Sequence, residues 1–385
     1  MRFLASGDHH FFARHRFREC IRVHEWMVDL ARDVKPDVFL SGGDVYEAAS
    51  VPIEREAAAE WTKRMAEVSP LVFAKGNHDR RLDCAILARL RTRHPVIVEE
   101  AARVHRLGGA AIAAMAWPER HHLLSEAGCI EGADTLMRDA LQAVLRGLGD
   151  ELESHDGPRI LLGHFMCDGA QASNGQPLIG MLINVSLAEL SLARAHIGVM
   201  AHIHMVQGWD VAGAPHRYTG SPYRTDYGQL EKKSVLMFEF DGQRLTHLEE
   251  IETPCTPMLH VEALWDDGFC AANEGTASMA AAEQAARRGA EIRFRYHVRA
   301  QHREAASAAA HAFADELRGH GAVDVKVEDQ VISERRARAP EVARAKSLNE
   351  KLSAHWQSVN FDPGERRGAI LAKAGALETE LHKVA

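Results

Sequence analysis

The chain has 385 residues, 46% of them apolar and 26% charged, enough for two or three domains with a sizeable core. Lys and Arg number 46 against 54 Asp and Glu, a formal charge of −8, which excludes a uniformly basic nucleic-acid coat but not a local basic channel. No run of ~18 apolar residues and no charged-then-apolar leader occurs, and the six cysteines form no C-x-x-C pair. A reduced, cytoplasmic protein is expected, with no membrane association, disulfide scaffold or thiolate zinc site.

From the start to about residue 255, short apolar runs alternate with amphipathic stretches. The runs at 2–6, 37–41, 71–74, 160–162 and 197–201 are too short for helices and end in Gly or polar residues, so they read as buried strands. Helices are expected at 17–33, 52–68, 80–92 and 133–147, and strands again at 218–220, 234–241 and 244–251, with Asp241-Gly242 as a turn. Strands alternating with helices imply a layered α/β architecture. The pattern changes near Pro254 and Pro257: strands at 259–264, 291–298 and 323–331 with helices at 277–288 and 303–318 make a small α+β domain. The expected organisation is therefore 1–255, 256–333 and a helical segment 334–385.

One feature recurs at the strand ends. The five early strands are followed by Asp8-His9-His10, by Gly42-Gly43-Asp44-Val45-Tyr46-Glu47, by Lys75-Gly76-Asn77-His78-Asp79, by Gly163-His164 and by His202-Ile203-His204. Ligand sites in α/β sheets lie where loops converge at the carboxyl ends of strands. Asp8 and His10, two apart, share a direction if extended, as do His202 and His204, while His9 points the other way. Loops carrying Asp, His and Asn in this arrangement are what a two-metal site requires.

The series D-x-H, G-D-x-x-E, G-N-H-D, G-H and H-x-H resembles the calcineurin-like metallophosphoesterase superfamily. The tail from Tyr218 to Gly242, YTGSPYRTDYGQLEKKSVLMFEFDG, is similar to the SbcD-type nuclease subunits of DNA double-strand-break repair. The resemblance implies a metallophosphoesterase β-sandwich flanked by helices over 1–255, a small α+β cap that selects DNA, and a C-terminal helical pair that binds a partner. It assigns Asp8, His10, Asp44 and His204 to one metal and Asp44, Asn77, His164 and His202 to the other, with Asp44 bridging. Two dications carry +4 and the two carboxylates return −2, leaving about +2 to hold a phosphodiester. Imidazole-rich ligation favours manganese, iron or zinc over magnesium, and the resemblance selects manganese.

The same resemblance makes His78 the group that stabilises the transition state or protonates the leaving oxygen, with Asp79 orienting its imidazole. Glu47 stands where relatives carry His or Asp to orient the phosphate, and Ala201 replaces the Gly that usually precedes H-x-H. DNA contacts are expected from Arg14 and Arg16 in the basic-aromatic stretch after the first loop, from Arg80, and from Tyr223 and Arg224. By resemblance the partners are DNA, an SbcC-type, SMC-like coiled-coil ATPase and a second copy of the chain. Residues 340–359 place apolar side chains three and four apart from Val342 to Val359, and a second stripe runs from Ile370 to Val384, both suited to lying along another helix. Two other functions fit less of the sequence. A small-substrate phosphoesterase, such as a cyclic-nucleotide phosphodiesterase, has no use for the appended domains. A non-catalytic scaffold for the ATPase has no use for seven ligands and His78.

Overall fold

The computed structural model of the chain describes residues 1–119, 133–172, 184–272, 277–332 and 340–384. Two six-stranded sheets dominate. The first runs β14 (Arg244–Glu252), β13 (Ser234–Asp241), β1 (Arg2–Ser6), β2 (Val38–Ser41), β3 (Leu71–Ala74) and β4 (Val96–Glu99). The second runs β11 (Gln207–Val211), β12 (Ala214–Tyr218), β10 (Ile197–Ala201), β7 (Arg159–His164), β6 (Ala110–Met115) and β5 (Ala102–Leu107). The sheet centres are parallel, β1 to β2 to β3 and β6 to β7 to β10; the first sheet has one antiparallel edge pair, β13 and β14, and the second has two, β11 with β12 and β5 with β6. A short parallel pair, β8 (Met166–Cys167) and β9 (Asn184–Val185), follows β7.

Strand alternation sorts the apolar side chains into three cores. Phe3, Leu40, Val72, Ile112, Leu162 and Val199 lie between the two sheets. On the outer face of the first sheet, Leu4, Phe39 and Phe73 meet α1 (Phe17–Val34) and α2 (Pro52–Ala66), which bury Val23, Met27, Trp61 and Met65. On the outer face of the second, Leu161, Met200 and Tyr218 meet Met137, Leu141, Leu145 and Leu152, four or seven apart along α4 (Ala133–Glu153). A helix–sheet–sheet–helix sandwich results.

The expected helix at 80–92 is corrected to α3 (Arg81–Ala85) and a 3-10 turn at Ile86–Arg89. Leu82 and Ile86 are 84% and 48% exposed, and the chain tightens to enter β4. The sequence reading lacked β4, β5 and β6. Ala110 to Ala114 are weak strand formers, here fully buried by the sheets on either side. Gly108 and Gly109, both at positive φ (60° and 94°), make the tight turn between β5 and β6.

A four-stranded sheet, β16 (Phe269–Ala271), β15 (Met258–Trp265), β17 (Glu291–Arg299) and β18 (Asp324–Ile332), is accompanied by α6 (Met279–Ala286) and α7 (Arg303–Gly319). By compactness the chain divides into two units: one comprises Met1–Val261, Gly275–Phe294 and Phe313–Val327, the other Glu262–Glu274, Arg295–Ala312 and Glu328–Ala385. The boundary expected at 333 lies outside the described residues.

In the second unit, the expected helix at 340–359 is corrected to α8 (Pro340–Arg344) and α9 (Leu348–Ser358). Ser347 begins the latter by accepting the Glu350 N–H at 3.2 Å, while Glu350 accepts the Ser347 N–H in return. α9 lies against α10 (Arg367–Val384), with Ala374 buried and the Leu348 N–H donating to Glu378 Oε1 at 3.0 Å. Val359, Phe361, Ile370 and Leu377 remain exposed. Among the described residues no helix is long and apolar enough to cross a membrane.

Candidate metal centre

The loop after β1 and the loop after β2 run side by side. The Asp8, His10 and Phe11 N–H groups donate to the carbonyls of Gly43, Asp44 and Val45 at 2.8–2.9 Å. This pairing forces Asp8, His10 and Asp44 into the left-handed region (φ 50°, 44° and 47°), and His202 is there too (φ 102°). Such strain persists only where surrounding structure fixes it, and it clusters at functional sites. Small residues make the close approach workable. A Cβ on Gly76 would stand 2.0 Å from Asp44 Oδ1, and a Cβ on Gly42 would stand 2.3 Å from the Ala201 Cβ. Ala201 itself is absent from the positive-φ residues, so it serves where relatives carry Gly.

The donor atoms fall into two groups, Asp8, His10 and His204 in one and Asp44, His164 and His202 in the other, the atoms of each within 4.8 Å of one another. Asn77 joins the second group: its Oδ1 is 2.9 Å from both His164 Nε2 and His202 Nδ1. In the first group His10 Nε2 and His204 Nε2 face each other at 2.9 Å. Two outer contacts orient the rings. His164 Nδ1–H donates to the Gly42 carbonyl at 2.7 Å and His10 Nδ1 is ion-paired with Glu47 Oε2 at 2.7 Å, so each Nε2 faces inward, and a proton held there would leave as a cation binds.

Electrostatics agree with a cation site. Burial pushes the Asp8 carboxyl up, as expected of a carboxylate that is 0% exposed, against the lowering effect of His164 and His10. Burial also opposes ionisation of Asp44, but the adjacent His164 imidazolium overrides it and holds that carboxyl well below the usual range. Burial, then the neighbouring His164 charge, brings His202 down to about 4, and burial with His10 brings His204 well below its ordinary value. Both are neutral at neutral pH, the form that ligates metal. Converging donor atoms, two buried carboxylates and rings oriented from behind fit two divalent cations.

His78 flanks this centre, its ring 5.4 Å from that of His10 and its N–H donating to Asp44 Oδ1 at 2.8 Å. Its orientation comes from the Glu47 carbonyl, 2.6 Å from His78 Nδ1, not from Asp79. Asp79 instead accepts the N–H groups of Tyr46 and Gly76 at 3.1 and 3.0 Å, joining two ligand loops, and burial followed by the Asp44 charge raises its pKa to about 6. Glu47, expected to orient phosphate, holds His10. His9 points away from the ligands into the core, between Ser41 Oγ and His24 Nε2.

Three of the expected DNA contacts are corrected. The Arg16 side chain is ion-paired with Glu19 and Glu291, Arg224 donates to the carbonyls of Gln229, Glu231 and Thr256, and Tyr223 is 1% exposed with its hydroxyl on the His10 carbonyl at 2.7 Å. Long-range partners satisfy them, which local composition does not reveal. Arg14 and Arg80 are exposed.

Residues absent from the sequence reading also shape the centre. The Gln229 side-chain amide contacts His204 Nδ1 at 2.8 Å, and the fully buried Lys233 donates to the His204 carbonyl at 2.9 Å. The Trp117 ring lies 4.8 Å from that of His202. Trp117 follows the carboxyl end of β6, so recognising that strand would have placed it.

Comparison with known proteins accords with this centre. Residues 1–204, more than half of the chain, match the calcineurin-like phosphoesterase family. No curated protein matches the chain. Among solved structures, one from Thermus thermophilus is 16% identical, covering 61% of this chain and 93% of that one at a TM-score of 0.38. A putative 5'-nucleotidase from Staphylococcus aureus is 12% identical, covering 65% and 54% at 0.40. An archaeal phosphodiesterase is 8% identical, covering 66% and 99% at 0.34. Likenesses so distant say nothing of this chain's substrate. With its strand-end ligand loops and its match over residues 1–204, the chain belongs to the calcineurin-like phosphoesterase family.

Proposed function

We propose that the chain is a manganese-dependent DNA nuclease of the SbcD type, acting in double-strand-break processing with an SMC-like ATPase. One observation carries the reading beyond the family. The segment that resembles such nucleases, 218–242, is built into the metal centre: Tyr223 supports the His10 carbonyl, Gln229 contacts the His204 ring and Lys233 its carbonyl.

Divalent cations in the two groups would supply Lewis acidity toward a phosphodiester. The chain's own contribution lies in placement and proton transfer. Asp8, His10, Asp44 and His202 are held at strained φ values, and with Asn77, His164 and His204 they already converge, so little reorganisation accompanies loading. His78, anchored through Nδ1–H on the Glu47 carbonyl, keeps Nε2 for the substrate. In its doubly protonated form it gives the Nε2 proton to the leaving oxygen as a water oxygen adds to phosphorus and the P–O bond breaks. Arg14 and Arg80, both exposed, are the remaining cations of the expected set for backbone phosphates. The apolar residues exposed on α10 and in the turn before it are proposed to grip the ATPase coiled coil.

The test compares manganese-loaded protein on linear duplex DNA and on cyclic nucleotides. Degradation of DNA ends with cyclic nucleotides untouched supports the proposal; the reverse replaces it with a small-substrate phosphodiesterase.

A further inference from the structure

The metal ligands His164 and His202 lie at or just beyond the carboxyl ends of β7 and β10. At the amino ends of the same strands lies a separate cavity of about 530 Å3. From Arg159 to His164 the strand rises about 16 Å at ~3.3 Å per residue, so the cavity is not part of the metal centre. Its volume falls in the range of small-molecule sites.

Three of its side chains come from neighbouring strands or the residue just before one: Arg159 opens β7, His196 precedes β10, and His216 lies in β12. Alternation puts Arg159 and His216 on one face of the sheet, the face on which Leu161, Met200 and Tyr218 join the outer core, while the His196 ring also meets Phe240 at 6.0 Å. Arg159 Nε and Nη2 donate to His196 Nε2 at 3.1 and 2.8 Å, and among the described residues no carboxylate pairs with this guanidinium. Arg194, on the rim, is already engaged by Asp150 and Glu153. His216 is 1% exposed and its Nδ1–H donates to the Ala214 carbonyl at 3.1 Å. That leaves Nε2 buried without a partner, and burial keeps the ring neutral. A guanidinium with no carboxylate partner among the described residues and an orphaned acceptor therefore sit in one cavity, whose remaining wall includes Leu190 and Val211.

We propose that this cavity binds a small organic anion. Its phosphate or carboxylate head lies on Arg159, its apolar body against Leu190 and Val211, and an N–H or O–H donor on His216 Nε2. Binding here is independent of the metal centre and of the nuclease reading.

The experiment uses the full chain, stripped of metal by a chelator, and calorimetric titration with three probes: adenosine monophosphate, 4-aminobenzoate and inorganic phosphate. Saturable binding of one of the first two, tighter than that of inorganic phosphate, is expected, and the probe that binds identifies the head group. Arg159→Gln should weaken it at least about tenfold. So should Ser191→Glu, which places a like charge at an exposed position on the rim and serves where Arg159→Gln fails to fold. No saturable binding by any probe overturns the proposal. Binding that both variants retain undiminished also overturns it, because the anion then sits elsewhere.

Discussion

Glu47 Oε2 lies 2.7 Å from His10 Nδ1, and the carbonyl of the same Glu47 lies 2.6 Å from His78 Nδ1. One residue thus orients a metal-ligating imidazole with its side chain and the proposed proton donor with its backbone. The two roles separate by mutation. Glu47→Gln removes the charged partner of His10 and keeps the carbonyl, so metal affinity should fall about 10–100-fold, the usual scale for such outer partners. Manganese titration of both proteins checks this; equal affinities would remove Glu47 from the centre's support.

His78→Ala takes away the proton donor and no ligand. Metal content and DNA affinity should persist while turnover drops by roughly two to four orders of magnitude. Single-turnover cleavage at saturating manganese measures the loss, and near wild-type rates would contradict the assignment.

His24 is fully buried beside His9, and burial lowers its pKa from 6.5 to about 4. The unfolded chain takes up this proton first. His24 therefore contributes stability that is complete above pH 6.5 and lost progressively as pH falls toward 4, about 3 kcal/mol in all. Denaturant unfolding of wild type and His24→Gln across that window should show a shallower acid slope in the variant. Parallel slopes would mean that His24 already carries its proton in the folded chain.

Ending the chain after Ile332 removes α8 to α10 and leaves every metal-site residue. Manganese-dependent cleavage of short DNA should survive, whereas stable association with the ATPase should vanish. Co-purification of the shortened chain at undiminished affinity would move the partner site elsewhere and leave the nuclease reading intact.

The centre was legible because its ligands follow short apolar strands that no helix could replace, and strand ends converge in this architecture. Asp8, Asp44, His164 and His202 could be placed by that rule alone. The Ala110–Met115 strand was hidden because its alanines carry no strand preference, although Gly108-Gly109 marked the turn before it. The break before Leu348 was written locally, as Ser347 followed three residues later by Glu350, within an apolar spacing that suggested continuity. Arg16 misled for another reason: its partner Glu291 is 275 residues away in sequence, and no window spans that distance. Tyr223 is spent in the same non-local way on the His10 carbonyl, and Arg224 on carbonyls both near and far in sequence.

The most direct test of the dinuclear centre is metal stoichiometry by elemental analysis of wild type and Asp44→Ala. Asp44 is assigned to both metals, and its Oδ2 lies 3.3 Å from His164 Nε2 while its Oδ1 holds the His78 loop. The account predicts two manganese ions per chain in the wild type, and loss of both, with all hydrolysis, in Asp44→Ala. Two ions retained in Asp44→Ala would contradict it.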